Sequence, residues 1–286
     1  MTVYTSYTYN QGGYGDFIRS IFAVFVYCKI NNIEHKIYIP DHPLNKSIES
    51  VKEKLNYPVL KFVDNYHTNA PMLYELNKCN DKDYNTIIYS NQFDFIPFNV
   101  LELYKNEFKN FIKFTPEFKQ RMITLKNQIN NVEYVAIHIR CGDKFMECNS
   151  QCVNNYLINP NSERLLKIFE KTIEYLKQNY NLPICLFTDV KTLKDKLCKK
   201  YDVLSFDTEI HHVASSNNKE NAFIDPIAEF ELMGEAKAIV KLANSGYVYW
   251  TAFIHDVPLF KYNSKTDTII PYIQLNYLDI FNECIE

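Results

Sequence analysis

Tyr134-Val-Ala-Ile-His-Ile-Arg-Cys-Gly-Asp-Lys144 is an apolar, β-prone run that ends abruptly in His138, Arg140, Asp143 and Lys144. Val135, Ile137 and Ile139 alternate as the buried face of a strand, which places the polar cluster at its carboxyl end. In open α/β sheets, ligands bind in the crevice outside the carboxyl ends of the strands. An arginine and a lysine on either side of a Gly-Asp turn suit a diphosphate there. His138 and Arg140 alternate with Ile139 and so share one face. An arginine on the crevice side offers a fixed fork for phosphate oxygens; the competing reading is a structural ion pair with Asp143.

Outward from this strand the chain reads as two successive β/α runs. The amino-terminal run opens with a strand at Val3–Tyr9, the turn Gln11-Gly-Gly-Tyr-Gly-Asp16, an apolar helix over Phe17–Ile30 and a strand at Lys36–Ile39, the opening unit of a nucleotide-type α/β domain. Strands at Val59–Val63 and Thr86–Tyr89 follow, then a helix over Val100–Ile112 and another that starts at Thr115-Pro116. After Ile139 an irregular segment reaches Pro160. The pattern then predicts a helix from Ser162 to Tyr180, a strand at Pro183–Phe187 ending in Thr188-Asp189, and a further helix. A short strand at Val203–Phe206 and a polar loop at His211–Asn221 precede helix Asp225–Glu235, strand Ala236–Leu242, helix Ser245–His255 and strand Val257–Lys261. Each run restarts with its own strand and polar turn, which predicts two Rossmann-like halves facing across a cleft. The expected divisions are an amino-terminal Rossmann-like domain over 1–130, a carboxyl-terminal Rossmann-like domain over 131–265, and a helical tail over 266–286 packing back on the first domain.

Bulk properties narrow the function. The 286 residues allow two modest domains, and a net charge of −3 argues against a general nucleic-acid binder. The apolar run Ile21–Cys28 is too short to span a bilayer and has no basic n-region, so the expectation is a soluble, cytoplasmic chain. Eight cysteines are scattered without a CxxC pair; only Cys141, Cys148 and Cys152 are close together. That spacing favours thiols in a reducing compartment over a zinc site, and no metal is expected. Asp81-Lys-Asp83 is a literal DxD, but it precedes Thr86 in a polar turn and is discounted as a metal motif.

Several other positions carry polar groups to the same edges. The Gly12-Gly13-x-Gly15 turn either lets backbone amides approach a phosphate or sugar, or is a tight turn that Asp16 caps. Asp189 suits a ribose hydroxyl or the cap of the next helix. Glu229, in an otherwise apolar helix, is either a bidentate acceptor for the amide-like edge of guanine or part of a solvated face. Asn244-Ser245-Gly246 sits between strand and helix, where it can hold a phosphate or simply cap the helix.

His138-Ile-Arg-Cys-Gly-Asp-Lys144 resembles the HxRRxD motif of the GDP-fucose-dependent fucosyltransferases, the α1,2, α1,6 and protein-O-fucosyl superfamily. Gln11-Gly-Gly-Tyr-Gly-Asp16 is similar to their amino-terminal glycine turn. The run from Glu229 to Gly246 is similar to their carboxyl-terminal acidic, leucine and serine signature, and all three agree in order and spacing. The resemblance implies a GT-B-like α/β architecture and inverting, metal-independent transfer of L-fucose from GDP-fucose to a glycan or glycoconjugate acceptor. On it, Arg140 binds the β-phosphate, His138 touches the nucleotide, Glu229 reads guanine and Ser245 meets the phosphates. Gly13, Gly15, Asp16, Asp189 and Asn244 complete the expected donor site. Lys144 matches a lysine of the α1,6 branch. Cys141 replaces the second arginine. The α1,6 base position falls on Cys148, so Glu147, one residue earlier, is the expected base and Asp143 the runner-up. Another nucleotide sugar, or an inactive nucleotide- or sugar-binding protein, are the competing functions.

Overall fold

The computed structural model describes residues 2–7, 13–53, 55, 60–63, 86–89, 96, 98–142, 159–209 and 223–272. Strand β1 (Thr2–Ser6) is central to a sheet that also contains β2 (Glu34–Ile37), β3 (Leu60–Val63) and β4 (Thr86–Tyr89). The order is β2-β1-β4-β3 and every pairing is parallel. Between β1 and β2 runs α1 (Tyr14–Ile30), buried almost all round. Parallel neighbours need such a crossover, and the near-continuous apolar run Ile21–Cys28 is what a helix inside a core requires. Val3 packs with Ala23, Val24, Tyr27 and Cys28, while Phe22 stacks on Phe108 of helix α2 (Phe98–Phe111) at 4.2 Å between ring centres. Asp16 in the first turn and Lys29 in the last suit the helix dipole. The helix ends at Asn31, and Asn32 takes a left-handed φ of 53°.

Two histidines are built into this unit as neutral groups. Burial pushes His35 down to about 3; its Nε2 hydrogen-bonds Thr5 Oγ1 at 2.7 Å and its ring stacks on Phe111. Burial takes His42 down to about 4, and its Nδ1 accepts the Leu44 N–H at 3.2 Å, as only an unprotonated nitrogen can.

The other sheet has the order β6-β5-β7-β8-β9, from β5 (Val135–Ile139), β6 (Ile184–Thr188), β7 (Ile239–Lys241), β8 (Leu259–Asn263) and β9 (Thr268–Pro271). The first four strands are parallel and β9 pairs antiparallel with β8. Its core face, with Val135, Ile137, Ile139, Leu186 and Val240, packs on Leu165, Phe169, Ile173 and Leu176 of α4 (Glu163–Asn179) and on Leu193 and Leu197 of α5 (Lys191–Tyr201). Ser162 caps α4 by accepting the Leu165 N–H, as its sequence position predicts. Helices α6 (Asp225–Gly234) and α7 (Gly246–His255) pack on each other. Gly234 permits that approach, since a Cβ there would lie 2.4 Å from His255 Cδ2.

The chain separates into two compact units, Met1–Glu117 and Phe118–Glu286. Helix α3 (Pro116–Gln128) therefore lies almost wholly with the second unit, whereas periodicity had put the division at 130/131. The reason is a clamp. Arg121 Nε donates to Asp225 Oδ1 at 2.7 Å and its Nη2 to Asp225 Oδ2 at 2.8 Å, and Lys126 pairs with Glu235 at 2.5 Å. Of the expected helical tail over 266–286, the described part contains β9, an added edge strand whose last residue but one, Ile270, faces Lys261; the remainder lies outside the described residues. The short strand expected at Val203–Phe206 is a single bridge, with Leu204 opposite Cys185. The loop His211–Asn221 and Asp81-Lys-Asp83 also lie outside the described residues.

Asp225 is fully buried and its partner Arg121 is three-quarters buried. Arg121→Met leaves that carboxylate without its cation and should cost about 3 kcal/mol. A fall in the urea midpoint at constant m would show it. An unchanged midpoint would mean that the Glu209 N–H, which also donates to Asp225 at 2.7 Å, satisfies the carboxylate unaided.

Candidate active site

Of the described candidates, His138, Arg140, Asp189, Asn244 and Ser245 lie at the carboxyl ends of β5, β6 and β7. After Ile139 the chain leaves β5 through Arg140, Cys141 and Gly142, and the turn is organised by one carboxylate from the neighbouring strand. Asp189, directly after β6, accepts the Cys141 N–H at 2.7 Å, the Gly142 N–H at 2.8 Å and Arg140 Nη1 at 2.6 Å. Three of roughly four lone-pair positions are thus engaged on the turn. The following helix begins at Lys191 without a side-chain cap, so Asp189 orients the arginine rather than capping α5. Gly142 has φ 107°, a region closed to side chains with a Cβ, which explains a glycine here. Arg140 is ion-paired with Asp189, whereas Asp143, the partner the sequence suggests, lies outside the described residues.

Cys141 points into the sheet core and is fully buried. Burial and the Asp189 charge push its thiol up to about 12, so it stays protonated and unreactive. His138 is also buried, and its ring lies 6.1 Å from that of Tyr247 at 27°. Burial, with the charges of Arg140 and Lys241, pushes it down to about 3, so the imidazole is neutral. Among the described residues its Nδ1 has no hydrogen-bond partner.

The turn after β7 supplies the other part. Ser245 caps α7 in an extended conformation, with φ −156° and ψ 122°, and its hydroxyl makes no cap hydrogen bond. A Cβ at Gly246 would meet nothing within 4 Å, so the space over the start of the helix is open. The first N–H groups of a helix lack partners within it and carry positive potential, a ready site for an anion. Asn244 Oδ1 accepts from Lys241 Nζ at 3.2 Å. Lys241 escaped the sequence reading. The signal was present: a lysine closes an apolar strand at the same edge as His138, and it stands opposite His138 in parallel register.

Glu229 lies on α6 with its side chain 14% exposed. It accepts from the Thr208 hydroxyl and faces Lys194 Nζ at 3.5 Å, while Lys194 also donates to Phe206 O and Thr208 Oγ1. Burial pushes the carboxyl up, against the opposing pull of Lys194 and Thr208. Lys194 and Thr208 thus set the surroundings of Glu229, and nothing local in the sequence announces them.

In the first unit, Gly13 has φ −86° and ψ 178°, ordinary extended backbone, and Gly15 lies within α1. Asp16 accepts the Gly13 N–H at 3.1 Å and lies 3.6 Å from Arg19, the capping role that the sequence left open. Asp143, Lys144 and Glu147, and with them the acid–base assignment, lie outside the described residues, as do Cys148 and Cys152. Among the described residues, no helix is long and apolar enough to cross a membrane.

No protein-family model and no curated protein sequence matches the chain. Solved structures do, over nearly its whole length. The selenomethionine form of fucosyltransferase NodZ from Bradyrhizobium is similar with a TM-score of 0.62 at 14% identity, covering 95% of this chain and 99% of that one. A FUT1 variant from Arabidopsis thaliana in complex with GDP has a TM-score of 0.59 at 10% identity, covering 96% of this chain and 74% of the other. POFUT1 in complex with GDP-fucose has a TM-score of 0.50 at 10% identity, covering 89% and 94%. The chain has the GT-B-type α/β fold of GDP-fucose fucosyltransferases, and at this identity the likeness is one of fold.

Asp189→Asn should destabilise the protein by about 2 kcal/mol, because a charge-assisted acceptor of three donors becomes a neutral amide. Gly142→Ala should cost about 1–3 kcal/mol through its positive φ. Urea unfolding of both variants reads this, and wild-type midpoints would remove Asp189 as the organiser of the turn. His35, His42 and His138 together predict acid sensitivity. Unfolded, they take up protons below about 6.5, whereas folded they resist to about 3, 4 and 3. Their stabilisation is complete above that unfolded value and declines as pH falls towards 3. Cε1 resonances of His35, His42 and His138 that titrate near 6.5 in the folded chain would contradict this.

Proposed function

We propose that the chain is an inverting, metal-independent glycosyltransferase that moves L-fucose from GDP-fucose to a hydroxyl of a glycan or glycoconjugate acceptor. The observation that carries this reading is Arg140, aligned by Asp189 at the end of β5 beside the open amino terminus of α7. The resemblance of 138–144 to the HxRRxD motif and the fold shared with NodZ, FUT1 and POFUT1 support it.

In such a transfer the acceptor oxygen attacks the anomeric carbon as the bond to the β-phosphate oxygen breaks, and the configuration inverts. Negative charge builds on the departing GDP. A guanidinium and helix N–H groups placed beforehand stabilise that charge without reorganising during the reaction. Arg140 supplies the first, and Ser245 with the start of α7 the second. His138, neutral, contributes one donor and one acceptor to the nucleotide. The acceptor proton leaves late, to a carboxylate of the segment after Gly142: Glu147, with Asp143 as the alternative. Lys144 adds a cation to the same segment.

Cys141 in place of the second arginine favours one competing reading, a protein that binds the nucleotide sugar without turning it over. Thermal unfolding with GDP, UDP, ADP and NAD, each with and without EDTA, separates the possibilities. GDP alone should raise Tm, unchanged by EDTA, by the equivalent of about 2.7 kcal/mol at a hundredfold excess over Kd. A UDP-selective or EDTA-sensitive shift would move the chain to another donor or mechanism. With GDP-fucose and a glycan acceptor, Arg140→Ala should abolish transfer while the variant stays folded. Binding without turnover in the wild type would favour the inactive reading.

A further inference from the structure

The inference rests on the donor reading above. A departing diphosphate carries more charge than one guanidinium neutralises, and Arg140 already shares its charge with Asp189. The next residue of the turn adds none, because Cys141 is a buried, protonated thiol in the sheet core.

The sheet brings another cation to the same edge. Lys241 is the last residue of β7, the strand beside β5, and its register partner is His138. Residues paired across parallel strands project to the same face, so the two side chains leave the sheet together. The Lys241 ammonium lies 3.2 Å from Asn244 Oδ1, in the turn that Ser245 and Gly246 continue into α7. It also sits over the Tyr272 ring, 3.6 Å from its centre, and the residue is 3% exposed.

Two independent features point to a ligand at this place. The buried His138 ring, against Tyr247 in the first turn of α7, has an Nδ1 without a partner among the described residues. Gly246 faces open space where any larger residue would project. The charges of Arg140 and Lys241 add to burial in keeping the His138 ring neutral.

We propose that Lys241 is the second cation of the diphosphate site. It reaches the ligand from β7 rather than from the turn after β5, with Asn244 holding its ammonium towards the start of α7.

Calorimetric titration of the full chain with GDP and with guanosine tests this, because the two differ only in the diphosphate. Lys241→Met should weaken GDP binding about tenfold or more, ~1.4 kcal/mol per factor of ten, and leave guanosine affinity within about twofold of wild type. Lys241→Arg, which keeps the charge, should recover most of the loss. Should the methionine variant not fold, Lys241→Gln, which can still hydrogen-bond Asn244, is judged by the same ratio. Equal losses for GDP and guanosine would make Lys241 a packing residue and overturn the proposal. Unchanged GDP affinity would overturn it too, with the donor reading intact. A wild-type chain that binds no GDP would instead remove the donor reading, and this inference with it.

Discussion

The carboxylate of Asp189 holds the candidate site together. Parallel strands share no hairpin, so the carboxyl ends of β5 and β6 are continued by unrelated segments that nothing covalent keeps in step. One side chain accepting two successive backbone N–H groups and a guanidinium supplies that link. It accounts for several features at once. The chain can turn sharply because Gly142 accepts a positive φ, Cys141 is rotated into the core, and Arg140 is held by Asp189 in a defined orientation. An arginine preorganised in this way has little rotamer freedom left to lose when it meets a phosphate.

The electrostatics around it follow from burial. Burial keeps the His138 imidazole neutral, with the Arg140 and Lys241 charges acting in the same direction, and burial likewise keeps Cys141 a thiol. Glu229 is held differently, with Lys194 and Thr208 offsetting a desolvation that favours the protonated carboxyl. The edge of this sheet is therefore a row of groups whose charge is set by depth rather than by residue type alone.

Much of this was legible in advance. Strands ending in polar turns, helices with apolar stripes, and the division into two β/α runs follow from periodicity, which depends only on near neighbours. The edge of β5 was identifiable because His138 and Arg140 interrupt a hydrophobic run. What escaped depends on register between distant segments. Asp189 pairs with a turn 49 positions away, and nothing near it signals whether it caps a helix, meets a ligand or ties a loop. That Lys241 closes an apolar strand is local, but its place opposite His138 follows from the pairing of β7 with β5. The strand pattern divides the chain at 130/131, and the residue that ties helix α3 to the second unit, Asp225, is 104 positions beyond Arg121.

The Arg121–Asp225 clamp also says where the chain can be taken apart or exchanged. A cut at the apparent gap before Tyr134 would carry the cation away on one fragment and strand a fully buried carboxylate on the other. A cut ahead of Pro116 keeps the pair, and α3, with the sheet they support. Recombination between chains of this fold would thus tolerate a crossover before α3 and be selected against just after it. The natural module is then one helix longer than its strand pattern suggests.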